Sequence, residues 1–288
     1  MNGSTWVLDL APHHKMGLPL RSRVLIASGM SRLGHPTQVT YDMEGVGAVV
    51  VGPWTGPEDW PPYPVLIRRP GGVLWCPPRP PRGIGQTLRR VSSLWQRWPA
   101  AIIASLGPTD VGMTREVARR LSRHGDIAGF LIEVDAREEA ATLLARVDIV
   151  RQVAQLPVLV ALPLHRASAL VEPCLQAGAD ALVIGMPPEG VWTHKGKAVR
   201  GYVYGPLLLP LVLATLQQVR GRIPTTTPLI AQGGIHAPRD AIRCLEAGAD
   251  AVVLDAAVWV EPDLPTRVHR AILAWEAARA EDEDHSQS

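Results

Sequence analysis

Two carboxylates, Glu133 and Asp135, stand two residues apart in the run GFLIEVDA. In an extended chain that spacing turns both to the same side, where they could work as an acid/base pair or hold a metal, with Asp255 or His165 as neighbours. A plainer reading gives one to solvent and pairs the other with an arginine. Cys76, beside Trp75, is a candidate nucleophile or base on a mobile loop, although its neighbours in sequence offer nothing that lowers a thiol pKa. Gln232-Gly233-Gly234-Ile235, followed by Pro238 as a first-turn residue, can turn backbone N–H groups and a helix N-terminus toward an anion; an empty tight turn is the alternative. His194, Lys195, Lys197 and Arg200 form a cationic group. Cys174 and Cys244 read as buried filler, and His13 with His14 as an exposed pair near the start.

The elements that must carry these groups are written into a repeat. CLQAGADALVIG, from Cys174 to Gly185, and CLEAGADAVVLD, from Cys244 to Asp255, agree at seven of their first eight positions. Each copy is a helical pattern that meets a glycine able to cap it in the left-handed region and leaves through Ala-Asp into a short apolar strand. EGVGAVVVG (Glu44 to Gly52) and HGDIAGFLIEV (His124 to Val134) share the outline. Short apolar runs at Val24 to Ala27, Ala48 to Val51, Ala101 to Ala104, Gly129 to Val134, Val158 to Leu162, Ala181 to Ile184, Pro228 to Ala231 and Ala251 to Leu254 make eight. Between them, helical spacing runs over Thr109 to His124, Glu138 to Gln155, Ala167 to Ala177, Pro206 to Arg220 and Pro238 to Ala247. Strands without alternation are buried on both faces, so the pattern predicts an α/β fold, a (β/α)8 TIM barrel.

A single barrel domain is expected over 21–280, after an N-terminal extension over 1–20 and before a disordered acidic tail over 281–288. The stretch from Pro53 to Pro81 holds ten prolines, together with Trp54, Trp60, Tyr63, Trp75, Arg68, Arg69 and Arg79, and Arg82 follows it. It is expected to be a stiffened loop inserted after strand 2, neither helix nor interior strand. Its tryptophans could stack on a flat ligand or a partner, or seal the loop against the barrel. In this fold the reactive groups lie at the carboxyl ends of the strands, so Ser28 and Gly29, Gly52, Ser105 and Gly107, Glu133 and Asp135, Pro163 and His165, Gly185, Gln232 to Gly234 and Asp255 should ring one mouth. The insertions after strands 2 and 6 should overhang it.

Composition narrows the function class. A chain 47% hydrophobic and 19% charged can bury a full core, and a net charge of +2 gives no field that calls for nucleic acid or an anionic membrane. Three scattered cysteines form neither a disulfide framework nor a zinc pattern, and no run is long enough to span a bilayer. The expectation is a cytoplasmic protein that uses no metal and acts on a small molecule, with the Trp/Pro/Arg loop as a candidate surface for a partner protein.

VLIASGMSRLG (Val24 to Gly34), the spaced glycines and prolines of GYVYGPLLLP (Gly201 to Pro210) and IAQGGIHAPRDAIRCLEAGADAVVL (Ile230 to Leu254) resemble motifs of the dihydroorotate dehydrogenase family, FMN-dependent barrels of pyrimidine biosynthesis. The resemblance runs from about Val24 to Val258. It implies a flavin in the mouth, with Ala27, Ser28 and Gly29 beneath it and main-chain N–H groups of Gly205, Gly233 and Gly234 on its phosphate, Ala256 lying in the turn after strand 8. The departures fall on the chemistry. The family's strand 2 lysine aligns with Gly52, its strand 5 lysine with Ala161, and its Asn and Cys or Ser base with Glu133 and Ala136. Trp75, Pro78 and Pro81 stand where the substrate loop should carry Asn, Gly and Asn. After strand 8 the family has Gly-Thr and this chain has Asp255-Ala256. A carboxylate about 4 Å from a phosphate costs on the order of 1 kcal/mol in water and nearer 4 at an effective dielectric of 20, so Asp255 must point away, find a cation among Lys195, Lys197 and Arg200, or displace the phosphate.

The expectation is therefore a dihydroorotate dehydrogenase-like oxidoreductase with the FMN site partly kept and the catalytic set largely lost. Substitute bases would be Glu133, His165 and Cys76, in that order. The rivals are a non-catalytic barrel that binds a small molecule or a partner, and a phosphate-site barrel doing acid/base chemistry with Glu133, Asp135 and His165.

Overall fold

A computed structural model of the chain describes residues 7–30, 41–56, 60–80, 83–194 and 196–286, with side chains to 282. Lys195, Pro81, Arg82, the last four residues of the VLIASGMSRLG motif and the outermost residues of both termini lie outside the described residues. The strands in chain order are β1 (Leu8–Asp9), β2 (Pro19–Leu20), β3 (Val24–Ile26), β4 (Ala48–Val51), β5 (Val65–Arg69), β6 (Gly72–Cys76), β7 (Ala101–Leu106), β8 (Ile127–Glu133), β9 (Val158–Pro163), β10 (Ala181–Met186), β11 (Glu189–His194), β12 (Lys197–Tyr204), β13 (Leu229–Gln232) and β14 (Ala251–Leu254). Eight of them close a parallel barrel in the order β10-β13-β14-β3-β4-β7-β8-β9, which is the (β/α)8 ring that the apolar runs predict. Val24–Ile26, Ala48–Val51 and Ala251–Leu254 are buried at every position.

The helices are α1 (Ile84–Trp95), α2 (Val111–Leu121), α3 (Ala140–Ala154), α4 (Leu164–Gln176), α5 (Leu209–Arg220), α6 (Pro238–Glu246) and α7 (Leu264–Ser286). The repeated junction explains how two of them hand over to the barrel. Gly178 and Gly248 sit at φ +94° and +101°, and the following Ala179 and Ala249 amides donate back to the Cys174 and Cys244 carbonyls, both at 3.0 Å. This is the Schellman closure, which satisfies carbonyls that the helix end would leave bare. The next residue does the work of registry. Asp180 accepts the Val158 amide at 2.8 Å, and Asp250 accepts the Leu229 amide at 2.8 Å. Each aspartate thus ties the start of its own strand to the start of a neighbour, β9 or β13.

Two expectations need correction. The Pro-rich insertion does form strands: β5 and β6 pair as a hairpin, and β6 is an interior strand of an antiparallel sheet ordered β11-β12-β6-β5. The prolines do not prevent this because they stand outside the ladder. Pro64 precedes β5, Pro70 lies in the turn with Gly71 at φ +85°, and Pro77 follows β6. The sheet joins the insertions after barrel strands 2 and 6 into one cap. The acidic tail, expected to be disordered, continues α7 to Ser286; Ala277-Ala278-Arg279-Ala280-Glu281 are good helix formers, and no Gly or Pro follows to stop propagation. In the N-terminal extension, β1 and β2 pair as a short antiparallel ladder.

One buried cation fastens the carbonyl ends of two barrel strands. The Arg146 side chain is fully buried. It donates to the Leu106 and Gly107 carbonyls at 3.1 and 2.8 Å, to the Glu133 carbonyl at 3.3 Å, to Thr114 Oγ1 at 3.1 Å and to both Glu138 carboxylate oxygens at 2.9 and 3.0 Å. Every guanidinium edge is used, which is the condition for a charge at this depth. Replacing Arg146 by Leu strands the Glu138 charge and three carbonyls, and is expected to cost about 3–5 kcal/mol, read from urea unfolding midpoints. A loss below about 1 kcal/mol would show that solvent reaches these groups.

Candidate functional site at the barrel mouth

The carboxyl ends of the barrel strands and the cap enclose one cavity on the barrel axis. Its barrel side is made by Ala27, Ser28, Val50, Leu131, Glu133, Ala161, Gln232 and Val253, and its cap side by Trp75, Pro77, Tyr202 and Tyr204. Cross-strand pairing puts Tyr202 opposite Trp75 and Tyr204 opposite Val73, so the period-2 alternation of β12 aims both phenols at the axis together with the indole. The free space is about 30 Å³, room for one or two waters.

Glu133 is the carboxyl that reaches this space. It is buried, and Ser105 Oγ donates to its Oε1 at 2.5 Å. Burial pushes its pKa up; the Ser105 hydrogen bond, the nearby Ser28 hydroxyl and the Arg146 charge pull the other way. Ser28 Oγ itself has no hydrogen-bond partner of good geometry among the described residues. Burial also drives the Tyr202 and Tyr204 hydroxyls well above the ordinary range, so the mouth holds protons at neutral pH.

The other predicted groups are dispersed. Asp135 lies outside the axis, where burial and the Asp135 charge raise the pKa of Glu189. Neither Glu133 nor Asp135 forms a salt bridge with a described arginine. His165 is exposed in the first turn of α4. Cys76 is buried and lines a separate groove of about 600 Å³ with Trp60, Asp135, Arg137, Glu189 and Arg200. Among the described residues no group of His, Cys, Asp and Glu could hold a metal ion. Tyr202 and Tyr204 escaped the sequence reading; the alternation in Gly201-Tyr202-Val203-Tyr204-Gly205 is the signal that could have found them.

Of the residues assigned to a flavin, Ala27 and Ser28 line the mouth, and the space above them is filled. The Trp75 ring lies against Gly29 so closely that any Cβ there would overlap it. Trp259 meets the same ring edge-on at 5.7 Å, and Tyr204 lies at 6.3 Å. Gly234 packs on the Leu209 backbone, and Gly205 on the Gly71 carbonyl, again without room for a Cβ. At Gly52, one of the two lysine positions, φ is +139° and a Cβ would meet the Ser105 carbonyl at 2.9 Å. Small-molecule sites ordinarily offer roughly 300–1,000 Å³. FMN does not fit this mouth.

Asp255, at the end of β14, is 1% exposed. The Ala256 and Ala257 amides lie close enough to lower its pKa somewhat, yet neither oxygen has a hydrogen-bond partner of good geometry among the described residues. Burial dominates and pushes the carboxyl to about 7. Arg200, one of the cations expected to neutralise it, pairs with Glu189 at 3.7 Å, and Lys197 lines the groove.

The family described as Dihydroorotate dehydrogenase matches residues 189–275. Among characterised proteins, the "Dihydroorotate dehydrogenase B (NAD(+)), catalytic subunit" of Geobacillus kaustophilus is 25% identical over 270 residues, covering 85% of this chain and 84% of the relative. Its counterparts in Desulforudis audaxviator and Pelobacter propionicus are 28% and 27% identical, covering 85% and 90% of this chain and 86% and 91% of theirs. Among solved structures, the dihydroorotate dehydrogenase of Eimeria tenella in complex with ferulenol superposes with a TM-score of 0.73 at 16% identity, over 91% of this chain and 83% of that one. No helix among the described residues is long and apolar enough to cross a membrane.

The buried Asp255 makes a signed prediction. Its folded pKa of about 7 lies above the ordinary 3.8, so between these values the folded state binds the extra proton. Stability from this group is full below about pH 4, falls as pH rises to about 7 and is level above. Asp255→Asn is expected to remove that fall and to gain up to roughly 4 kcal/mol at pH 8. Urea midpoints of both proteins across this range are the measurement, and a difference that stays constant with pH would refute it.

Proposed function

We propose that the chain, similar to the dihydroorotate dehydrogenase family, is a divergent member that keeps the family's barrel while having given up dihydroorotate oxidation, and that it serves as a small-molecule-binding protein. One observation carries this reading: among the described residues the lining of the mouth holds no cation, and its two carboxyls, Glu133 and Asp255, are buried with raised pKa values. Gly52 and Ala161 take the lysine positions and Ala136 the base position. Glu133 is buried and hydrogen-bonded to Ser105, and burial raises its pKa, which disfavours the charged form that a general base needs. The loss of a general base alone removes roughly a hundredfold to ten-thousandfold in rate.

The groove beside the cap supports a binding role. Trp60, Pro61 and Val65 give it an apolar wall, while Arg137, Lys197 and Arg200 stand with Asp135 and Glu189 on its charged side. Its volume, about 600 Å³, is that of a small-molecule site. This assortment suits a ring-bearing molecule with a charged substituent.

The second reading is an FMN-dependent oxidoreductase of cytoplasmic pyrimidine biosynthesis with Glu133 as its proton-handling group. Its support is the retained Ala27-Ser28-Gly29 and the left-handed pair Gly233 and Gly234, at φ +100° and +77°. An anaerobic assay with dihydroorotate, FMN and a redox dye separates the two. The expected result is dye bleaching no faster than with FMN alone. Bleaching that saturates with dihydroorotate and disappears in Glu133→Gln would establish the second reading and overturn the first.

A further inference from the structure

The groups that crowd the mouth come from three elements, and each occupies a place that the family resemblance gives to one part of a flavin. The ring system should lie on Ala27, Ser28 and Gly29; there the indole of Trp75 lies on Gly29, flanked by Trp259 and Tyr204. The phosphate should lie between the Gly233-Gly234 turn and the amides after strand 8. A Cβ at Gly234 would overlap the Leu209 backbone, and the carboxyl nearest the Ala256 and Ala257 amides is that of Asp255. A flat aromatic ring and a carboxyl are therefore both present, and both belong to the chain. Neither is a surface group that drifted inward: Trp75 is 7% exposed and Asp255 1%.

We propose that the mouth is self-occupied, with Trp75 as the permanent tenant of the ring place and Asp255 of the anion place. Trp75 is delivered by β6, whose ladder with β12 fixes its height over the barrel. Once ionised, above about pH 7, Asp255 repels a second anion at the same amides, because two negative charges would share one set of donors in a buried place. Removing the indole should leave a dry, aromatic-walled hollow, which an uncharged flat molecule can refill. A phosphate-bearing one still meets Asp255.

The inference stands on the packing of the mouth and not on the loss of dihydroorotate oxidation, so the two fail separately. Titration of wild-type protein into FMN, followed by flavin fluorescence, is expected to show no quenching, and FMN should not shift the melting temperature. Trp75→Ala is expected to melt lower, and indole should raise its melting temperature saturably. Riboflavin should bind Trp75→Ala at least tenfold more tightly than FMN, and adding Asp255→Asn should shrink that ratio. Stoichiometric FMN binding by the wild type overturns the proposal, whatever the dihydroorotate assay shows. So does a folded Trp75→Ala that ignores both indole and riboflavin. If Trp75→Ala does not fold, the wild-type titration decides alone.

Discussion

The contact between the Trp75 indole and Gly29 governs the geometry of the mouth. A large aromatic ring can lie on backbone only where no Cβ stands in the way, and Gly29, at φ +81°, provides that place. Once the ring is seated, Trp259 and Tyr204 pack on its edges, the cap cannot stand off from the barrel, and the axial space shrinks to about 30 Å³. Apolar burial of this kind is worth more than the few polar contacts around it. The remaining polar groups of the mouth must then satisfy one another, as Glu133 and Ser105 do, or lean on nearby amides, as Asp255 does on Ala256 and Ala257.

Beneath the cap, the barrel is held by bonds between its own strands and helices. Arg146 gathers the carbonyls at the ends of β7 and β8, and Asp180 and Asp250 tie neighbouring strands at their starts. These bonds hold the barrel whatever fills its mouth. The packing of the strands and the closure of the helix ends use other residues than those that a flavin or a substrate would touch.

The glycines show how one residue type serves two ends. The resemblance reads Gly29, Gly205 and Gly234 as places where backbone approaches a cofactor. In the structure the same lack of a side chain admits an indole, a carbonyl and a helix backbone. The physical requirement, close approach without a Cβ, is common to both uses. The motif therefore survives whether the visitor is a ligand or the chain itself.

The sequence by itself determined the barrel. Eight apolar runs without alternation must be buried on both faces, and the duplicated Cys-Leu-x-Ala-Gly-Ala-Asp-Ala fixes where helices end and strands begin. It also placed Glu133, Ser105 and Gln232 at the mouth, since position at a strand's carboxyl end follows from the fold alone. Tertiary structure decided the rest. Prolines bracketing Val65–Arg69 and Gly72–Cys76 hid a hairpin, because strand pairing with β12 is a long-range event that no local pattern announces. The same pairing turned Trp75, Tyr202 and Tyr204 inward, while His165 and Cys76, reactive by type, were left outside the axis. Residue type carries chemistry, but the ladder between two distant insertions chose which side chains face the barrel.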